Sequence, residues 1–135
     1  PLLPEVDRGV ELVRVGDLIL EGFTCPGHSP GHTAFAVRSG SAEEGGPVRH
    51  VFGGDLIFQG SVGRTDLPLC DPGRMETSVR DFFLWDRIGP DTTILPGHMG
   101  PTRAGNEVRS NPFVRAWASG YPPADLETFR TKFGL

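Results

Sequence analysis

Residues 24–33 read T-C-P-G-H-S-P-G-H-T. Two prolines and two glycines in so short a run break any ladder, so the stretch is a turn held between strands. Apolar runs lead into it (Leu18–Thr24) and out of it (Thr33–Val37). The same pattern returns twice downstream. F-G-G-D places Asp55 after the run Val48–Phe52, and L-P-G-H places His98 after Thr92–Leu95. Each time a short β run ends in a Gly or Pro turn bearing one metal-capable side chain. Strand ends collect ligands in α/β folds. Glycine lets the backbone bend beneath an exposed side chain, and imidazole and carboxylate suit zinc, iron and manganese. One histidine after Pro-Gly is ordinarily a surface turn residue. Three recurrences in one short chain put a shared site at His28, Asp55 and His98 on an equal footing with three surface turns, and composition alone takes the argument no further.

Around these turns the pattern is α/β. Val10–Val15 and Leu18–Thr24 flank Gly16-Asp17 as a hairpin. Ser39–Pro47 is small and polar, and is expected to be a flexible surface loop. Residues 59–73 read as a long loop, a length usually kept for function. Met75, Val79, Phe82, Phe83 and Trp85 form an apolar stripe that predicts a helix over Arg74–Ile88, stopped by Gly89-Pro90. Thr102–Arg109 is expected to be a short helix. Asn111-Pro112 is an N-cap and first-turn pair for Phe113–Ala118, and Ala124–Phe133 follows as a last helix, so residues 111–135 form a helical tail.

Composition narrows the function classes. The 135 residues suit a single domain. The net charge is -4 and the basic residues are scattered, which argues against a nucleic-acid partner. No apolar run approaches a membrane span, and no leader pattern opens the chain. Cys25 and Cys70 form no C-x-x-C, so a reducing, cytoplasmic setting is expected rather than a disulfide scaffold. The chain opens on Pro1 rather than Met, and is expected to be processed or part of something longer.

Taken together, the blocks T-C-P-G-H-S-P-G-H-T, F-G-G-D-L-I-F-Q-G-S-V-G-R-T-D-L-P, I-L-P-G-H-M-G-P-T and R-S-N-P-F resemble the metallo-β-lactamase superfamily. Within it they are similar to the glyoxalase II-like, or hydroxyacylglutathione hydrolase-like, metallohydrolases. The resemblance covers about residues 10–115. It implies that His28 holds a first metal, that Asp55 bridges two metals, and that His98 holds the second. Two divalent ions, zinc with iron or manganese as substitutes, and a metal-bound hydroxide acting on a small-molecule thioester such as S-2-hydroxyacylglutathione, are what such a site implies. His32 would support the ligands without being one. Arg64 would either meet the carboxylate of the substrate's thiol carrier or pair with Asp66 to shape the loop.

The superfamily's H-x-H-x-D-H block is absent from residues 1–135. The resemblance therefore implies the C-terminal half of an αββα sandwich: a mixed sheet with flanking helices, completed by an N-terminal half of the same fold. One sheet face would then be left apolar and exposed, and the chain is not expected to be stable alone. Two other readings share the scaffold. A persulfide dioxygenase-like mononuclear iron enzyme is one, although Leu67-Pro68 after the G-R-T-D block favours the hydrolase. A non-catalytic half-domain is the other.

Overall fold

The computed structural model describes residues 12–40 and 45–135. Six strands form one mixed sheet in the order β1-β2-β3-β4-β7-β8. They are β1 (Leu12–Val15), β2 (Leu18–Thr24), β3 (Thr33–Ser39), β4 (His50–Gly54), β7 (Thr93–Pro96) and β8 (Thr102–Arg103). Neighbours run antiparallel except β4 and β7, which are parallel. A two-stranded ribbon, β5 (Ile57–Phe58) and β6 (Ser61–Val62), stands apart. The helices are α1 (Pro72–Leu84), α2 (Ala104–Ser110), α3 (Pro112–Trp117) and α4 (Pro123–Phe133), with a 3-10 turn at Ala118–Gly120. Among the described residues no helix is long and apolar enough to cross a membrane.

Register sorts the strand residues into two faces. Ala36, Val51 and Ile94 stand in line across β3, β4 and β7 and are all buried. Phe23 joins them, stacked on Trp85 at 4.6 Å between ring centroids and edge-on to Phe82 at 6.2 Å. α1 closes this core with Met75, Val79, Phe82 and Phe83. Glu21 lies on the same face, where Arg38 and Arg87 donate to it at 2.7 and 2.8 Å. Burial works to raise the Glu21 carboxyl, but the two guanidinium groups outweigh it and hold the group below its ordinary range. The tail helices pack through Phe133 and Phe129 against Phe83. Lys132 Nζ donates to the carbonyls of Phe83 and Trp85 where α1 ends, at 2.8 and 2.7 Å.

The opposite face is also apolar but open. Phe52 pairs with Phe35 and Leu95 there, and Leu20 with Val13 and Val37. Phe52 is 50% exposed, Val15 55% and Leu18 45%.

Several boundaries differ from the sequence reading. The helix expected over 74–88 starts earlier, because the Asp71 side chain caps it by accepting from Arg74 N and Pro72 sits in its first turn. It ends at Leu84, because Trp85 turns extended to lay its ring on Phe23. The strand expected from Val48 begins at His50; Val48 N donates instead to the Arg87 carbonyl. Thr102–Arg103, expected as helix, pair with β7. Part of the expected 59–73 loop is the β6 half of the ribbon. Val10 and Glu11 of the first hairpin, and residues 41–44 of the expected flexible loop, lie outside the described residues.

Candidate metal centre

The three turns meet at one end of the sheet. β4 carries a register irregularity between Phe52 and Gly54, and Gly54 takes φ +56° as the chain leaves the strand. Gly97 N donates to the Gly54 carbonyl at 2.7 Å, which brings the turn after β7 onto the turn after β4. Gly97 must be glycine here: a Cβ would stand 2.9 Å from Asp55 Oδ1. The Asp55 carboxylate is thereby placed between two histidines. His28 Nε2 lies 3.1 Å from its Oδ2, and His98 Nδ1 lies 2.8 Å from its Oδ1.

The surroundings assign the protons. His28 Nδ1 is 2.9 Å from the Arg64 carbonyl, which can only accept, so Nδ1 carries the hydrogen. With Nδ1 committed to that carbonyl, Nε2 is the nitrogen left facing the carboxylate. A metal-ligating histidine has this form: one nitrogen donates to a backbone carbonyl and the other is free to ligate. His32 is held differently. Its Nε2 accepts from Asp55 N at 2.9 Å, so Nδ1 carries the hydrogen and donates to Cys25 Sγ at 3.2 Å. Burial holds the His32 imidazole below its ordinary 6.5, with the nearby Asp55 charge opposing, which agrees with a neutral acceptor. A Cβ on Gly54 would stand 2.6 Å from His32 Nε2, so the ring packs directly on the bend that presents Asp55.

The donor set fits metal ions in part. Opposite oxygens of one carboxylate are each met by an imidazole. These three side chains would give only part of a donor set, whereas one zinc ordinarily has four ligands. Among the described residues no group of three His, Cys, Asp or Glu side chains is arranged to hold one ion. His28, Asp55 and His98 would hold metal from one side, with the other donors supplied by other residues.

The remaining candidates fall at different distances from this centre. The Arg64 guanidinium grips Asp66 through two bonds of 2.7 and 3.0 Å, and the guanidinium holds the Asp66 carboxyl below its ordinary range. Of the two roles open to Arg64 from the sequence, this geometry is the loop-shaping pair. Its backbone has a further part, as the acceptor for His28. Together His28, Asp55, Phe58, Arg64 and His98 line a pocket of about 350 Å³.

Sequence reasoning missed what braces the pocket from behind. Asn111, fully buried, donates Nδ2 to the Phe58 and Ser61 carbonyls at 3.3 and 3.0 Å and to Glu107 Oε1 at 3.0 Å. Its Oδ1 accepts from Phe113 N and Val114 N, capping α3. Glu107 also accepts from Gly60 N and from Thr102 Oγ1. The cap was legible in Asn111-Pro112. The ties to the ribbon were not, since they run to backbone carbonyls distant in the chain.

One expectation arises directly. His32→Ala in the full-length protein should weaken metal binding by about 10–100-fold, because it frees the amide beneath Asp55. His32→Gln, whose side-chain oxygen can accept from that amide, should recover part of the loss. Competition dialysis against a chelator measures both.

No protein-family model matches the chain. Sequence relatives are nevertheless clear. Over 106 residues it is 34% identical to hydroxyacylglutathione hydrolase GloC of Haemophilus influenzae, covering 78% of this chain and 45% of that protein. Among solved structures, TTHA1623 in a di-iron-bound form is 39% identical with a TM-score of 0.59, over 75% of this chain and 44% of that one. The BLEG-1 B3 metallo-beta-lactamase is 30% identical with a TM-score of 0.64, over 76% and 44%. The chain thus spans about half the length of the curated relatives it matches.

Proposed function

Since the chain belongs to the metallo-β-lactamase superfamily, we propose that it is the metal-holding C-terminal half of a thioester hydrolase acting on substrates of the S-2-hydroxyacylglutathione kind. One observation carries this reading: the Asp55 carboxylate stands between His28 and His98, with His28 Nδ1–H already committed to the Arg64 carbonyl. When bound, divalent ions supply a nucleophile at neutral pH by lowering the pKa of water to about 7, and they polarise the scissile carbonyl. Asp55 would fix the spacing of two such ions, His28 and His98 would each anchor one, and His32 would hold the backbone that presents Asp55. Nitrogen and oxygen donors suit zinc, iron and manganese alike, and the di-iron form of TTHA1623 supports iron. A thiolate leaves readily, so the chain needs no strong acid beside the pocket.

The second half of the proposal concerns the open sheet face. Val15, Leu18, Phe52 and their neighbours form an apolar surface of the kind that isolated monomers rarely leave in water. We propose that an N-terminal half of the same fold covers it with a second sheet and brings an H-x-H-x-D-H block to the free side of the metals. Cys25 and Cys70 form no disulfide with each other, which supports a working place in the reducing cytosol.

The test is made on the full-length protein, purified and analysed for metal, then assayed with S-lactoylglutathione. About two transition-metal ions per polypeptide, and hydrolysis lost with a chelator and restored by metal, are expected. A metal-loaded protein that leaves the thioester intact overturns the proposal. One iron with oxygen uptake on a glutathione persulfide would replace it with the dioxygenase reading.

A further inference from the structure

The pocket around Asp55 does not end at Arg64. A second hollow of about 400 Å³ adjoins it, and the two share the wall Ser61–Arg64. Its far side is aromatic. Phe113 and Trp117, one turn apart on α3, lie 5.6 Å apart between ring centroids at a tilt of 57°. Phe113 is 42% exposed, although the residue beside it, Val114, is buried. The rings are held in place by Asn111, which caps α3 with Oδ1 and grips the Ser61 carbonyl with Nδ2. The first turn of α3 is therefore bolted to the ribbon that walls both hollows.

The charge of this second hollow is balanced. Its two charged residues, Arg64 and Asp66, neutralise each other through their paired bonds. A polyanionic thiol carrier would have to displace Asp66 to gain a guanidinium there. A neutral, planar, apolar group meets no such obstacle and finds two aromatic rings to pack against.

We infer that Phe113 and Trp117 form an aromatic shelf that receives the acyl side of the substrate, and that this acyl side carries an aromatic ring. The inference rests on the thioester hydrolase reading and adds the substrate class to it. The carbonyl would lie at the Asp55 end, and the ring would reach past Arg64 onto the shelf.

The test compares mandeloylglutathione with lactoylglutathione, which share the carrier and the 2-hydroxyacyl unit and differ by the ring. With the full-length protein, KM for the mandeloyl ester is expected to be about tenfold the lower. The double variant Phe113→Ala, Trp117→Ala is expected to bring the two KM values together. Hydrolysis of both esters with the same KM ratio in wild type and variant overturns the shelf and leaves the hydrolase reading standing. If the wild type hydrolyses neither, the hydrolase reading fails, and mandelate titration by NMR on the unmutated protein decides the shelf. A saturable shift of the Trp117 indole N–H, with the buried Trp85 indole unmoved, keeps it. Two unmoved signals, or two that move together, overturn it.

Discussion

Asp55→Ala, introduced into the full-length protein, is expected to cut kcat by roughly a thousandfold or more and to release at least one metal ion per polypeptide. Outer partners of metal ligands typically cost 10–100-fold when removed, and a ligand shared by two ions should cost more. The structure explains why no neighbour can substitute. Both imidazoles face this one carboxylate, and among the described residues no second carboxylate stands between them. Two further variants sharpen the expectation. Asp55→Asn keeps the volume but removes the charge that would balance bound ions, and should behave like alanine. Asp55→Glu keeps the charge but must fit a longer side chain into a space already closed by Gly97. It should lose most activity while retaining some metal. Metal analysis beside steady-state kinetics reads all three. Full activity with two bound ions in Asp55→Ala would sink the ligand assignment.

Asn111→Ala is expected to destabilise the full-length protein by about 3 kcal/mol. Loss of a helix cap costs ~1 kcal/mol, and leaving buried partners unpaired costs ~1–3 kcal/mol more. The partners at stake are the carbonyls of Phe58 and Ser61 and the carboxylate of Glu107. Asn111→Asp is the informative companion. It retains the acceptor for Phe113 N and Val114 N but sets a second carboxylate where Nδ2 lay 3.0 Å from Glu107. It should be at least as unstable as alanine at neutral pH, and should recover on acidification as one carboxyl of the pair takes a proton. Urea unfolding at pH 7 and pH 5 compares the three proteins. An Asn111→Asp midpoint equal to wild type at pH 7 would show that the donor side of Asn111 contributes nothing.

The parts of this molecule that were legible in the sequence are those written in side chains. Pro-Gly and Gly-Gly before His28, Asp55 and His98 mark bends after strands, and the structure brings those three side chains together. The apolar open face was expected only through the resemblance and its absent H-x-H-x-D-H block, and the strands now show it. In β2, Leu18 and Leu20 alternate with Ile19 and Phe23, the pattern of a strand covered on both sides. Helix ends were less legible, because tertiary packing sets them: nothing local tells Trp85 to leave α1, and its stack on Phe23 does. Thr102 and Arg103 are too short a strand to be told from a helix start without β7 beside them. The second roles of Arg64 and Asn111 were out of reach for another reason. The Arg64 carbonyl that orients His28 is a backbone atom, and every residue has one. Only the fold decides which carbonyl comes to lie beside the ring.

The sheet order also sets the sequence of events as the chain folds. β1 and β2 are joined by the short turn Gly16-Asp17 and can pair early, as a local hairpin. The partner of β4 is β7, parallel to it, with the ribbon and the whole of α1 lying between them along the chain. Such a pairing must first meet the entropy of closing a long loop, so it comes late. Until it closes, His98 has no reason to stand near Asp55. An incomplete chain emerging from the ribosome would thus carry His28 and Asp55 without His98 beside them, and this half's share of the donors would come together only at the end of folding.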